Sequence, residues 1–191
     1  MKKRKTTTIT KTLLGLGVVA LAFSSCKKDD DLVDVPPPDQ NETEVITTFQ
    51  ITLTDIGGTQ PTVNAIFRDL DGDGGNAPTQ FDTLYLAPNT SYSAEILLLN
   101  ESVSPTDTIS NEVLEEAADH LFCFSPTGAN VTITRTDTDG VFEIGLQSLW
   151  VTAAVSDGTT QISLKHQPGI KDGTCAPGET DIELDFTTKI Q

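Results

Sequence analysis

The chain has 191 residues, with 28 acidic against 12 basic side chains and a formal charge of −16. A field of that sign excludes nucleic acid and anionic lipid surfaces as natural partners and attracts cations. No G-x-S-x-G, H-E-x-x-H, phosphate-cradling glycine loop or dinucleotide fingerprint occurs, so the reading is of a non-enzymatic protein.

In chain order, Lys2, Lys3, Arg4 and Lys5 open a positively charged segment, and an apolar run of 11 residues follows from Leu13 to Phe23. A spanning helix needs roughly 20 apolar residues, so residues 1–25 read as a cleaved export signal rather than an anchor. Small residues directly before Cys26 resemble the lipobox of bacterial lipoproteins, in which that cysteine is lipidated and becomes the mature N-terminus. Several acyl chains anchor stably where one holds only marginally. Lys27 and Lys28 running into Asp29, Asp30 and Asp31 resemble the export signal of surface lipoproteins in the Bacteroidetes, which implies display on the cell surface; otherwise the charges form a solvated, periplasm-facing tether. Residues 26–44, with "DVPPPDQNETE", read as an extended spacer. Five of the basic residues and none of the acids lie before Cys26, leaving 7 against 28, a charge of −21.

Residues 45–191 are enough for one core, and period-two alternation dominates them. In "TFQITLT" Phe49, Ile51 and Leu53 share a face; in "TQISLKH" Ile162, Leu164 and His166 do; in "TDIELDFT" Ile182, Leu184 and Phe186 face inward, with Asp181, Glu183 and Asp185 outward. Further strands are predicted over Thr62–Phe67, Phe81–Leu86, Tyr92–Leu99, His120–Phe124, Asn130–Arg135 and Gly145–Val155. Turn signals at Gly57-Gly58, Pro88-Asn89, Asp139-Gly140 and Asp157-Gly158 separate strands. The expected fold is all-β, an antiparallel immunoglobulin-like β-sandwich. One short helix is predicted in "SNEVLEEAADHL", capped by Ser110 or Asn111, with Val113, Leu114, Ala117 and Ala118 as its apolar stripe.

Several residues are candidates for a site. Asp69, Asp71 and Asp73 fall at positions 1, 3 and 5 of a D-x-D-x-D-G pattern, and the Gly75 carbonyl follows, a spacing that lets one loop wrap calcium. Gln80 stands where a bidentate Glu belongs, so Asp82, Asp137 or Asp139 would have to supply the missing carboxylate, unless the loop is a plain Gly-rich hairpin. No cofactor is required on this reading; calcium is the one the loop suits. His120 and His166 offer imidazoles for zinc or copper beside nearby acids, although a strand-end histidine also serves as rim packing. In "LQSLWVTAAV", Leu149, Val151, Ala153 and Val155 read as the buried face. Trp150 then sits outside with Ser148 and Thr152, to stack on a sugar ring or a partner, or to lie under the helix or a loop. Cys123 and Cys175 are an even pair in an exported chain, which suggests a disulfide; the apolar setting of Cys123 in "HLFCF" also suits a free buried thiol. Thr83 and Thr108, in "DTL" and "DTI", resemble O-glycosylation acceptors of the Bacteroidetes.

Together "FRDLDGDGG", "LAPNTSYSAEILLLN", "SLWVTAAV" and "LKHQPGIKDGTCAPGETDIELDF" resemble a family of small Bacteroidetes lipoproteins across nearly the whole mature domain. Some members carry the label "type 1 periplasmic binding fold superfamily", a two-lobed α/β architecture of about twice this length, whereas this chain lacks βαβ alternation. The resemblance implies compartment and lineage, an outer-membrane, lipid-anchored protein, and the leading expectation for its role is a ligand- or partner-binding module. Its partner would be an outer-membrane transporter or other outer-membrane protein, a glycan, or a captured metal ion. The remaining reading is a structural envelope component.

Overall fold

Alternating side chains on an extended backbone leave one apolar face per strand, and that face is buried only when two sheets close on each other. The computed structural model describes residues 44–72 and 75–191 of the chain. The leader, Cys26, the tether up to residue 43, and Asp73 with Gly74 lie outside the described residues.

The strands are β1 (Thr48–Asp55), β2 (Val63–Arg68), β3 (Gln80–Phe81), β4 (Leu84–Leu86), β5 (Ser91–Leu99), β6 (His120–Thr127), β7 (Val131–Arg135), β8 (Gln147–Thr152), β9 (Ser156–His166) and β10 (Glu179–Ile190), with one helix, α1 (Ile109–Glu115), between β5 and β6. One sheet has the order β3-β2-β1-β5-β8-β7 and the other β4-β10-β9-β6. All pairings are antiparallel except β4 with β10. The sheets face each other across a single core in which Phe49, Ile51 and Leu53 of β1 meet Ile162 and Leu164 of β9 and Phe186 of β10. The Phe49 and Phe186 rings, one from each sheet, lie 5.5 Å apart. The all-β sandwich with one helix is thus the observed architecture.

Local details depart from the sequence expectation. The predicted strand over Phe81–Leu86 divides, because the chain leaves the first sheet after Phe81 and joins the second at Leu84. Asp82 secures that crossing by accepting a hydrogen bond from the Ile66 amide at 3.0 Å. Asp157-Gly158 is not a turn but part of β9. Glycine is needed there for a different reason, since a Cβ would collide with the Thr127 carbonyl and the Ala129 amide. In α1 the buried residues are Ile109 and Val113, four apart, while Leu114 and Ala118 are exposed. Ser110 and Asn111 lie inside the helix; Thr108 takes the N-cap position without a side-chain cap bond, and Ser110 Oγ accepts from the Leu98 amide at 2.5 Å.

Trp150 is a correction. It is fully buried with Ser148 and Thr152, while Val151, Ala153 and Val155 face solvent. The face of β8 is set by its neighbours in the sheet: Trp150 pairs with Tyr92 of β5, itself buried, and with Ile133 of β7. Its indole donates to Ser148 Oγ at 2.9 Å and meets Phe124 edge-on across the sandwich. An enclosed indole cannot stack on a sugar. Cys123 of β6 and Cys175 of the β9–β10 loop form a disulfide, which decides between the two readings of these thiols.

Candidate functional site

The inward row of β9 runs Ile162, Leu164, His166, and the facing row of β6 runs Phe124, Phe122, His120. Antiparallel register places His120 directly opposite His166, so the row of core side chains ends in two histidines. Their rings stack, with centroids 4.8 Å apart and planes within 7°. Both residues are buried, His120 completely. His120 Nδ1 lies 3.1 Å from the Glu116 carbonyl oxygen. A carbonyl only accepts, so Nδ1 carries the proton and Nε2 keeps a lone pair. Burial lowers the pKa of His120, which favours that neutral form.

The third group arrives through an irregularity. Strand alternation puts Asp181 outward with Glu183 and Asp185, yet its side chain is wholly enclosed. The β9–β10 register breaks between Thr180 and Ile182, which pair with Lys165 and Leu164 respectively and leave Asp181 without a partner. Such a bulge re-aims the extra side chain. It turns Asp181 inward until Oδ2 stands 3.9 Å from His120 Nε2, too far for a hydrogen bond. Burial pushes its pKa up to about 6. Among the described residues, His120 Nε2, His166 Nε2 and both Asp181 oxygens are buried without a hydrogen-bond partner. A buried polar group left unsatisfied costs about 1–3 kcal/mol, and four such atoms lie in one place. Glu116, at the end of α1, brings a carboxylate to the histidines, with the ligand atoms of all three residues within 4.8 Å of one another.

Beside this cluster is a cavity of about 410 Å³ whose lining includes Asp181, Glu44, Asp69 and Glu183, four carboxylates, and, among the described residues, no basic one. Glu44 is pushed up to about 7 by burial and by the neighbouring Glu112 carboxyl, whose own pKa burial also raises. Negative charge is crowded here, and a cation is the ligand that relieves it.

The other predicted site residues lie apart in function. Asp71 Oδ2 accepts from the Asn76 backbone amide at 2.9 Å and from its side-chain amide at 2.6 Å, which closes the loop as a turn. Gly75 donates to the Gly72 carbonyl at 3.2 Å, and Asp73 lies outside the described residues. Asp69 is buried, with Oδ1 unpartnered. The proposed extra carboxylates are engaged elsewhere. Asp82 holds the Ile66 amide and Gln80, Asp137 the Gly145 and Gln147 amides, and Asp139 a buried ion pair with Lys171 at 2.8 Å. Asp137 and Asp139 follow β7, four strands from β2 and about 19 Å away at the usual strand spacing. Thr83, in the β3–β4 link, and Thr108, before α1, are half-buried. Sequence reading missed Asp181 and Glu116; neither carries a local signal, because a bulge and a long-range strand register assemble them.

Compared with family models, curated proteins and solved structures, the chain matches none.

Proposed function

We propose that this protein is a non-enzymatic, lipid-anchored binding module of the outer membrane, displayed on the cell surface, that holds a small cation at the acidic end of its β-sandwich. The observation that carries the reading is the cavity that the described residues line with four carboxylates and no base, backed by buried imidazole and carboxylate atoms that have no partner among those residues. The lipobox-like Cys26 and the charged, proline-bearing spacer after it support the anchor, and the resemblance to Bacteroidetes lipoproteins supports the compartment. On this reading residues 26–44 are a tether, and the domain presents its ion to an outer-membrane protein such as a transporter.

Two measurements test it. Cells fed an alkyne fatty acid should label the wild-type chain and not Cys26→Ala; equal labelling refutes the anchor. The full-length protein, extracted in detergent and stripped with EDTA, should take up one equivalent of calcium, zinc or copper in titration calorimetry. No uptake of any of them refutes cation binding. A second reading, calcium at the aspartate loop, is favoured by Asp69, whose Oδ1 is buried and unpartnered; it predicts uptake that Asp69→Asn abolishes.

A further inference from the structure

We infer that His120, His166 and Glu116 form a binding centre for a first-row divalent metal ion of the zinc class, with Asp181 positioned by its bulge to complete the coordination. This deepens the cation-binding reading and rests on it.

Four observations carry the assignment. First, the donor set is present and close: the ligand atoms of Glu116, His120 and His166 lie within 4.8 Å of one another. Zinc bound at about 2.0–2.1 Å in a tetrahedron holds its ligand atoms about 3.4 Å apart. Second, the lone pairs are free. His120 Nδ1–H donates a hydrogen bond to the Glu116 carbonyl, which leaves Nε2 as the ligating atom, and such a backbone bond is how a ligand imidazole is usually oriented. His166 Nε2 likewise has no partner. Third, the cross-strand register fixes both rings on one face, so the site is built on two paired strands rather than on loops. Fourth, Asp181 adds a fully enclosed carboxylate 3.9 Å from His120 Nε2, with neither oxygen hydrogen-bonded among the described residues.

The chemistry selects the metal. Two imidazoles with one or two carboxylates suit a borderline ion, whereas calcium wants six to eight oxygens. Cys123 and Cys175 are locked in a disulfide and offer no thiolate, which disfavours a copper(I) site. The rings are now parallel, so their lone pairs run side by side rather than converging. Binding must tilt the rings toward each other, and that movement is observable.

The chain contains only two histidines, so an imidazole ¹⁵N spectrum has only two rings to assign. The test uses full-length protein in detergent, purified on a tag without histidine and stripped with EDTA. One equivalent of zinc should shift Nε2 of both rings to metal-bound positions in slow exchange. His166→Gln should weaken zinc binding by at least about 100-fold and Asp181→Asn by about tenfold, while Asp185→Asn, exposed on the same strand, should change nothing. The spectrum of the wild-type protein decides the matter even where a variant fails to fold. Rings that stay unmoved at saturating zinc mean that the pocket holds water alone, and the proposal falls. Uptake that survives His166→Gln and is lost in Asp69→Asn places the ion at the aspartate loop. The histidine centre is then overturned while the cation-binding reading stands. Calcium moving the rings at lower concentration than zinc overturns the metal class. If no ion is taken up, both fail together.

Discussion

Asp181 carries a carboxyl group that is wholly enclosed and raised to about 6 by burial, against 3.8 for the free side chain. Well below pH 3.8 it is protonated whether the chain is folded or not, and well above pH 6 it is ionised in both states. Between those limits the folded form holds a proton that the unfolded form has released. Stability therefore falls as pH rises through this window. The shift corresponds to about 3 kcal/mol, since each pH unit of displacement is worth about 1.4 kcal/mol. Asp181→Asn keeps the shape and removes the titration. Urea unfolding in EDTA at pH 4, 5, 6 and 7 should give a wild-type curve that falls more steeply than the variant's, by about 2 kcal/mol across that range. The variant retains the decline that comes from Glu44, whose raised pKa of about 7 acts in the same direction. Asp55 and Glu101 do not interfere. Backbone amides of Thr59, Gln60 and Gly57 lower the first to about 2, and the Arg68 hydrogen bond lowers the second to about 2. Their stabilisation is present above about pH 4 and is lost only as pH falls toward 2. Parallel curves for the two proteins between pH 4 and 6 would show that the carboxyl is not enclosed as described, and the bulge would lose its functional meaning.

Replacing both Cys123 and Cys175 with Ala removes a cross-link between residues 52 positions apart. The chain-entropy relation puts the loss at about 4 kcal/mol, and for a domain of roughly 150 residues this lowers Tm by roughly 13 °C. A calorimetric loss below about 1 kcal/mol would mean that loop closure is not how this bond acts. The lone tryptophan supplies an internal probe. Trp150, fully buried against Phe124, should emit at short wavelength and resist acrylamide quenching, and Trp150→Ala should cost about 3–5 kcal/mol in urea unfolding. Emission typical of a solvated indole would refute the orientation of β8.

Strand faces were legible wherever one parity is apolar and the other polar. Phe49, Ile51 and Leu53 of β1 and Ile162, Leu164 and His166 of β9 are buried as their alternation predicts. The pattern misled at "SLWVTAAV", where both parities are apolar. Counting favours the four residues Leu149, Val151, Ala153 and Val155, yet the last two belong to an exposed β8–β9 connection. One indole facing the core outweighs them, because its large apolar area dominates the burial. The candidate site was legible only in part. Alternation placed His166 on the inner face, but nothing local to either histidine could pair it with His120, 46 residues away. That juxtaposition is a consequence of β6–β9 register, and register depends on the whole sheet. Asp181 was hidden for a stronger reason: its neighbours obey the alternation that it breaks.

A bulge normally weakens a ladder, and a buried carboxylate beside two unpartnered imidazoles weakens a core. Apolar residues at 120, 166 and 181 would extend the rows Phe124–Phe122 and Ile162–Leu164 without either cost. On the proposed reading, the polar cluster and the backbone irregularity that completes it form a receptor for an ion, and the four carboxylates lining the cavity beside them supply a field that would draw one in.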